Sequence, residues 1–526
     1  MEHLAAAWSS IPSAAQVGAL LAGLPTIAVA LNVARQKLLP KDPSLPPEVF
    51  HFIPLFGSAA SYGEDPIGFL AECQKKYGDC FTFVMLGRKM TVCTGAKGSN
   101  LILGGSLSQV SAEEAYKHLT TPVFGTGVVY DCPNHVFMEQ KRFIKSGLSN
   151  RNFEKYVEQL EDEVLSFLRT DDRFSAYQKN DDDPTMWGSF HSFDAMCEVT
   201  ILTACRTLQG DVIRGSMDKT FAQRYLDLDG GFTPLNFMFP NLPLPSYWRR
   251  DRAQKEMSDF YVNIVRKRKA ESVEHDYDMM AALMGESYKD GSTLPDRQVA
   301  NIMIALLMAG QHTSSSTSAW ALLHLAERSD IADELYREQV ETFGKPDGTF
   351  REPTYGELRK LPYSMPSSGR PFRKVVSDIP VPPTLAAPSE DKTYVIPSGH
   401  YVLASPAVSQ VDPRIWKQPQ SWDPHRWSDP AVAAHYTLYY GGGEQVDFGF
   451  GVVSKGTESP YQPFGAGRHR CVGEQFAYLQ LGMIIAVFVR EVEMRLPHKF
   501  PAHNYHTMIV TPKNPCNIEY RRRRKA

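Results

Sequence analysis

The chain has 526 residues, of which 43% are hydrophobic and 22% are charged, a composition typical of a globular protein with a large core. Its 56 basic and 59 acidic residues give a formal net charge of −3, so the overall charge does not indicate a nucleic-acid partner. The eight cysteines contain no Cys-x-x-Cys pair and are too sparse for a disulfide scaffold. We interpret the one basic run, Arg521 to Lys525, as a solvated tail.

The N-terminal 38 residues predict a membrane anchor. Residues 4–34 contain no charged side chain, and their apolar part, 17–33, approaches the ~20 residues that a helix needs to span a bilayer. Arg35, Lys37 and Lys41 follow this part, and no Lys or Arg precedes it. Positive residues stay on the cytosolic side, so we expect a single-pass protein with a cytosolic body. A cleaved signal peptide is disfavoured because its positive charge would come before the apolar stretch.

The remainder of the chain predicts mainly helix with a small β part. Five prolines between residues 40 and 54 indicate a stiff hinge over 39–56, and no break in composition divides 57–526, which predicts one large domain. Helical periodicity covers 66–77, 135–170, 194–208, 252–284, 296–327 and 475–493. Short β-like runs cover 80–85, 89–93, 394–396 and 401–404. We expect loops over 227–248 and 439–466, where Gly, Pro and aromatic residues dominate.

One cysteine lies in a distinctive stretch, P-F-G-A-G-R-H-R-C-V-G-E, over residues 463–474. Cys471 follows a glycine-rich turn and precedes a predicted helix, a position that stabilises a thiolate through the helix dipole and backbone N–H groups. The glycines allow a flat ligand to approach the backbone, and a thiolate can serve as the axial ligand of haem iron. A buried inert cysteine is the ordinary alternative, which this spacing disfavours. A zinc site with His469 lacks further ligands at suitable spacing.

This stretch resembles the haem-binding loop of the cytochrome P450 family, with Phe464, Gly467, His469, Cys471 and Gly473 at matching positions. The resemblance implies a cytochrome P450 fold, haem b as cofactor and O2 as a substrate. Residues 309–314, A-G-Q-H-T-S, are similar to the oxygen-activation motif of that family, which implies that Thr313 helps to deliver protons. Without Cys471, a buried Ser/Thr-rich helix whose hydroxyls bond back to carbonyls would be the better interpretation.

Further residues resemble the fungal sterol (lanosterol or eburicol) 14-alpha-demethylase branch of this family. The histidine in G-Q-H-T-S is typical of that branch, as are residues 116–125, 129–134 and 231–237 and the Gly/Tyr-rich insertion over 439–462. The branch implies three successive oxidations that remove the 14-alpha-methyl group of a sterol in ergosterol biosynthesis. It also implies electrons from NADPH through NADPH-cytochrome P450 reductase, and location in the endoplasmic reticulum membrane.

The resemblance carries over to individual residues. The positions that hold the haem propionates in the family are matched by Tyr116, Tyr130, Lys141, Arg373 and His469. The positions that line the sterol cavity are matched by Tyr116, Phe124, Tyr130, Phe232, Phe237, Ala305, Ala309, His312 and Met508. His312 and Thr313 are implied as the proton relay. For any single aromatic residue an ordinary place in the core is as good an interpretation, and for Lys141 so is a solvated helix face.

One expected element is missing from the sequence. The family carries Glu-x-x-Arg on a helix whose two side chains pair with an arginine matched here by Arg426. Between Tyr363 and Arg373 stand only nine residues, S-M-P-S-S-G-R-P-F, and their two prolines and glycine cannot support a helix. We therefore expect residues 364–372 to be an irregular loop. A buried Arg426 without its partners would cost on the order of 3–5 kcal/mol.

Two hypotheses account for this segment. The first is a frame slip in the recorded sequence. Synonymous codons can be chosen for this segment that encode Glu-Thr-Leu when they are read in another frame. Genomic DNA that encodes no Glu-Thr-Leu-Arg there would refute this hypothesis. The other is a catalytically impaired or non-catalytic sterol-binding relic, which haem-free purified protein would favour. A haem enzyme with a different apolar substrate also remains open, and would be favoured if sterols caused no spectral shift.

Overall fold

The structure is a computed structural model. It describes residues 14–179, 185–271, 278–358, 372–381, 393–427, 457, 459, 461–507 and 509–523. Within these ranges the side chains of 14–22, 219, 426 and 427 are not described. The chain forms two compact units, the first made of Met1–Ser111 with Phe372–Ser405 and the second of Ala112–Pro371 with Pro406–Ala526.

The described part of the chain is mainly helical. The helices are α1 (Ala14–Leu38), α2 (Ala59–Glu64), α3 (Pro66–Tyr77), α4 (Gly95–Leu103), α5 (Ala112–Phe124), α6 (Asn134–Gly147), α7 (Asn150–Thr170), α8 (Ser175–Gln178), α9 (Ser192–Ala204), α10 (Asp211–Gly215), α11 (Lys219–Asp229), α12 (Pro234–Met238), α13 (Pro245–Glu271), α14 (Met279–Met284), α15 (Asp296–Glu327), α16 (Ser329–Phe343), α17 (Tyr355–Leu358), α18 (Pro406–Gln410) and α19 (Glu474–Glu491). The strands are β1 (Cys80–Met85), β2 (Arg88–Cys93), β3 (Val110–Ser111), β4 (Gly188–His191), β5 (Phe372–Val375), β6 (Ile379–Val381), β7 (Tyr394–Ile396), β8 (Tyr401–Ala404), β9 (Val492–Arg495), β10 (His503–Asn504), β11 (Thr511–Pro512) and β12 (Asn517–Arg522).

The first unit contains a five-stranded sheet in the order β1-β2-β8-β5-β3, with β2 and β8 parallel and the other neighbours antiparallel. Strands β1 and β2 form a hairpin whose turn residues Leu86 and Gly87 have φ of +48° and +80°. Positive φ at both positions is what a type I′ turn requires, and such a turn matches the twist of the strands. A separate pair of strands, β6 and β7, belongs to the same unit.

Helix α1 packs against the segment predicted to be a hinge. Asn32 Nδ2 donates hydrogen bonds to the carbonyls of His51 (2.9 Å) and Phe52 (3.0 Å), and Gln36 Nε2 donates to the His51 carbonyl (2.7 Å). A search of the described residues returns no helix with the length and apolarity that a bilayer crossing needs. The side chains of residues 14–22, which include the start of the predicted span, are not described.

The second unit is built around the 32-residue helix α15. Its sequence is rich in Ala, Leu, Met and Ile, contains no proline and is buried on most sides, as expected of a central core helix. Helices α9, α13 and α19 pack against it. This arrangement places α15 beside the helix that follows Cys471.

Several predicted elements have the bounds observed, namely α3, α15, β1, β7 and β8. The predicted helix over 135–170 is instead two helices, because Ser149 accepts a hydrogen bond from the Asn152 N–H and begins α7 as its N-cap. The predicted loop over 227–248 is wrong in part. Pro234 and Pro245 are the first residues of α12 and α13, where a proline has no N–H to lose.

The basic tail is also not simply solvated, which corrects the interpretation of that run. Arg521 pairs with Glu493 (2.6 Å), and the Arg522 guanidinium lies over the Tyr177 ring (5.1 Å to its centroid). The first part of the run is therefore held by strand β12 and its neighbours, while residues 524–526 lie outside the description.

Some predictions fall on residues that are not described. These are the missing Glu-x-x-Arg segment up to residue 371, the partners of Arg426, most of the predicted loop over 439–466, and Met508. Of the anomalous residues 364–372 only Phe372 is described. It begins strand β5, pairing with Leu403, so at this one position the predicted irregular loop is wrong.

Candidate active site

Cys471 is held by a tight turn at the start of α19. Its backbone N–H donates to the carbonyl of Phe464 (3.0 Å), and the Arg470 N–H donates to the carbonyl of Gly467 (3.1 Å). Gly465 and Gly467 have φ of +69° and +64°, a conformation that glycine adopts without steric cost. An added Cβ at Gly465 would meet no described atom within 4 Å. The glycines thus close the turn and leave open space beside it.

The Cys471 thiol lies deep in the protein but keeps accessible surface. Burial raises its pKa, while a hydrogen bond from the Gly473 N–H and the positive charges of Lys141 and Arg470 oppose that rise. Its side chain is nevertheless exposed by surface area. Both properties together describe a thiol that lines an internal space, surrounded by protein and yet open on one side. Such a space fits a bound prosthetic group.

The middle of α15 also opens onto a space. Ala309 and Thr313 are exposed although the helix around them is buried, and an added Cβ at Gly310 would meet nothing within 4 Å. Ala309 and Thr313 are four residues apart and so share one face of the helix. Thr313 Oγ1 donates to the Ala309 carbonyl (2.9 Å), the back-bonding geometry of a helical threonine. Its oxygen can still accept a hydrogen bond from a group in that space.

Lys141 is bound to the cysteine loop, so the alternative of a solvated helix face is wrong. Its Nζ donates to the carbonyls of Arg468 (3.0 Å) and Arg470 (2.7 Å). Burial lowers the pKa of Lys141, and the nearby Cys471 opposes that shift. The ammonium group therefore connects α6 to the loop residues on either side of His469.

Four of the predicted site residues form one aromatic cluster. The rings of Tyr116 and Tyr130 are stacked with centroids 5.3 Å apart, Tyr130 lies 5.9 Å from the His469 ring, and Tyr116 lies 6.1 Å from Phe237. The Phe137 ring stacks on His469 at 5.8 Å. Sequence reasoning missed Phe137, which lies on α6 one turn before Lys141.

Three further apolar candidates, Phe124, Phe232 and Ala305, belong to the core of the second unit or pack against it. The rings of Phe124 and Phe232 are 5.3 Å apart, and Phe124 and Ala305 are each only 8% exposed. These residues are core residues in the present structure. Their predicted contact with a sterol stays a prediction.

His312 contacts a residue that the sequence did not reveal. Its Nε2 contacts a carboxylate oxygen of Asp229, the last residue of α11. Beside it, Tyr225 OH donates to Gln311 Oε1 (2.6 Å), and burial raises the Tyr225 pKa well above its usual value. The only available signal was that Asp229 directly precedes the G-G-F-T-P-L-N-F stretch.

Arg373 lies in the first unit, on strand β5, and is 4% exposed. Its Nη1 donates to the Phe372 carbonyl (2.8 Å). The predicted role of Arg373 in haem binding stays a prediction.

Phe464 packs edge-on against Tyr478 at 5.0 Å, which fixes the start of the cysteine loop against α19.

Comparison with known proteins gives a consistent result. The cytochrome P450 family profile matches residues 46–520. A protein of Mycosarcoma maydis named lanosterol 14-alpha demethylase is 52% identical, with 94% of this chain and 91% of the relative covered. One of the same name from Candida tropicalis is 44% identical over 94% and 93%. A sterol 14-alpha demethylase of Aspergillus flavus is 44% identical over 95% and 96%.

The fold has a solved counterpart in the cyanobacterial CYP120A1 with bound retinoic acid. The TM-score is 0.71, and the comparison covers 92% of this chain and 100% of that one. At 17% identity, this similarity bears on the fold alone.

Proposed function

Since the chain belongs to the cytochrome P450 family, we propose that it is a haem-thiolate monooxygenase that removes the 14-alpha-methyl group of a sterol in ergosterol biosynthesis. The observation that carries this proposal is the Cys471 thiol, which lines an internal space on a glycine turn at the start of α19. Relatives at 41–52% identity named for this activity support the choice of substrate.

The residues around Cys471 fit a haem, which we take to be haem b. The thiolate would bind the haem iron, and Tyr116, Tyr130, Lys141 and His469 would hold the propionates, because two buried carboxylates require donors and a cation. The resemblance to the family assigns the same role to Arg373 of the first unit. When bound, haem with a thiolate ligand supplies the activation of O2. Lys141 contributes in two ways, since its ammonium group also fixes the loop carbonyls beside Cys471.

Protons for O2 activation would come through α15. His312 contacts Asp229 at the end of α11, and Thr313, one residue later, is exposed on α15. The carboxylate holds the imidazole in place beside Thr313. The Thr313 hydroxyl donates to the Ala309 carbonyl. Its oxygen would therefore accept a hydrogen bond from a group that is bound beside α15.

The sterol would lie against Tyr116, Phe124, Tyr130, Phe232, Phe237, Ala305, Ala309, His312 and Met508. A flat and rigid apolar molecule with one hydroxyl suits a pocket of aromatic and small residues. Gly310 and the exposed Ala309 leave room next to α15, where a bulky side chain would prevent a sterol from approaching.

Electrons would come from NADPH through a cytochrome P450 reductase, and we place both proteins at the endoplasmic reticulum membrane. The apolar residues 17–33, followed by Arg35, Lys37 and Lys41, support a single N-terminal anchor with a cytosolic catalytic body. A shared membrane would bring the enzyme, its reductase and its lipid substrate to one surface.

A test of this function is turnover by the purified full-length chain with a P450 reductase, NADPH and lanosterol in lipid vesicles. We expect the 14-demethylated sterol and formate, with no product from Cys471→Ala. A wild-type chain that holds haem but converts no 14-methyl sterol would contradict the proposed substrate. The alternative of an inert relic depends on the missing Glu-x-x-Arg segment alone, and the relatives give it no support.

A further inference from the structure

The loop between α5 and α6 has a strained backbone. Gly125 and Gly127 have φ of +93° and +76°, and Val129 has φ of +54°. A β-branched residue with positive φ is an outlier, and such strain persists only where the surroundings impose it. The loop therefore depends on contacts that hold it in place.

One side of the loop is held by Asn301 of α15. Its Nδ2 donates to the carbonyl of Thr126 (3.0 Å), and its Oδ1 accepts hydrogen bonds from Ser258 Oγ (2.9 Å) and Gln254 Nε2 (3.2 Å). Asn301 is 1% exposed. An added Cβ at Gly125 would lie 2.4 Å from Asn301 Nδ2, so glycine is required for this approach.

A second set of bonds holds the loop from α6. Gln140 Nε2 donates to the Gly127 carbonyl (2.9 Å), and the Gly127 N–H donates to Asp131 Oδ2 (2.9 Å). Gln140 Nε2 also donates to Tyr288 OH (3.1 Å), which in turn donates to Gln298 Oε1 of α15 (2.8 Å). Helix α15 thus supports the loop twice, directly through Asn301 and indirectly through Gln298.

The loop carries Tyr130, the residue after the strained Val129. The Tyr130 ring lies between Tyr116 and His469, in the cluster next to the cysteine loop. A shift at Val129 would displace this ring. Asn301 lies on the same helix as His312 and Thr313, so one element supports both the proposed proton relay and the loop.

We propose that Asn301 is a positioning residue that holds the strained loop 125–131 so that Tyr130 lies in the haem and sterol pocket. Asn301 itself touches neither ligand in this account. Its buried amide is matched on both sides, by the Thr126 carbonyl as acceptor and by the α13 side chains as donors, which is the arrangement that a buried polar group needs. The link to sterol binding rests on the proposed function, whereas the link to loop position does not.

The test is Asn301→Leu in the full-length chain, measured in two ways. Hydrogen exchange of residues 125–131 reports on loop position without haem or substrate, and we expect exchange to become at least about tenfold faster once the buried hydrogen bonds are lost. Sterol affinity, measured by the shift of the haem absorption band, should weaken by about tenfold. Ser318→Ala is the control, since that hydroxyl is buried on the same helix without a hydrogen-bond partner among the described residues.

The double variant Asn301→Leu with Val129→Gly separates positioning from general stability. Glycine adopts a positive φ without strain, so Val129→Gly should restore slow exchange and sterol affinity toward wild type. Unchanged exchange in Asn301→Leu, or a loss that Val129→Gly does not reduce, would overturn the proposal. If the wild type binds no sterol while Asn301→Leu still accelerates exchange, the proposed function fails and the positioning role stands.

Discussion

Among single residues, the charged side chains near Cys471 matter most for the cysteine loop, and the sequence does not show that they lie near it. Burial raises the pKa of Cys471, and Lys141 and Arg470 oppose that rise. The sequence identified Cys471 because its flanking glycines and His469 have a characteristic spacing. It could not show that Lys141 binds the loop carbonyls, because a lysine in K-R-F-I-K is equally compatible with a solvated helix face.

Replacing Lys141 by methionine should reduce haem retention. The change keeps the apolar stem but removes the donor to the carbonyls of Arg468 and Arg470, and the loss of a hydrogen bond to a charged group costs about 1.5–3 kcal/mol. The ratio of haem to protein after gel filtration measures the effect. Lys145→Met is the matched control, since Lys145 is an exposed lysine on the same helix; equal haem in both variants would refute the role of Lys141.

Replacing Asp229 by asparagine should slow sterol oxidation and leave sterol affinity almost unchanged. The substitution removes the charge that faces His312 but preserves size, so we expect kcat to fall by about 100-fold, the lower end of a lost acid–base contribution. Steady-state turnover with separate measurement of sterol binding distinguishes the two effects. Asp227→Asn provides the control, because Asp227 pairs with Arg249 at the surface. A fall in affinity alone would show that Asp229 binds substrate instead.

Acid should destabilise the chain partly through His324. Desolvation, with a smaller contribution from the charge of His503, lowers the His324 pKa from 6.5 to about 4. The ring is stacked between Trp422 and Phe500, with its nearest carboxylate, Glu327, 3.9 Å away. The unfolded chain binds the proton more tightly, so stability falls as pH decreases from 6.5 to about 4.

A His324→Phe variant removes this titration and keeps the stacking. Between pH 6.5 and 4.5 we therefore expect its free energy of unfolding, measured in urea, to decline less than that of the wild type. An equal decline in both proteins would mean that His324 does not contribute to acid sensitivity.

At the scale of elements, periodicity predicted the long helices well and their ends less well. Helix α15 was predicted over its observed range because the segment has helical periodicity and contains no proline. The break at Ser149 was missed because the apolar period continues across it. Helix α12 and the first turns of α13 were missed because a proline at the first helical position also suits a loop; the rest of α13 lies within the helix predicted over 252–284.

The hairpin of β10 and β11 is attached to α15 through one carbonyl. Ser316 Oγ (2.6 Å) and Trp320 Nε1 (3.1 Å) both donate to the Val510 oxygen. Ser316→Ala should lower the free energy of unfolding by about 0.5–1.5 kcal/mol, because Trp320 still donates to the Val510 carbonyl, and should increase hydrogen exchange at Thr511 of β11. Ser316→Thr, which retains a hydroxyl, should recover most of the loss. If Ser316→Ala changed neither quantity, the attachment would not depend on this bond.

For the molecule as a whole, the resemblance to a known family predicted more of the fold and function than composition and periodicity did. The predicted mainly helical P450 fold and the similarity to fungal sterol 14-alpha demethylases are confirmed. Composition and periodicity alone would have given only a helix-rich globular chain. The contact between His312 and Asp229 joins residues that lie far apart in the sequence, and no local pattern could have revealed it.

We propose above all that Cys471 of this chain binds haem iron as a thiolate, in spite of the unusual segment before Arg373. The most direct measurement is the haem content and the absorption spectrum of the reduced, carbon monoxide-bound full-length protein, compared with Cys471→Ser. We predict close to one haem per chain and the thiolate-ligated Soret band in the wild type, with that band absent from Cys471→Ser. A wild-type protein without haem, or the same band in both proteins, would show that Cys471 does not bind haem iron as a thiolate.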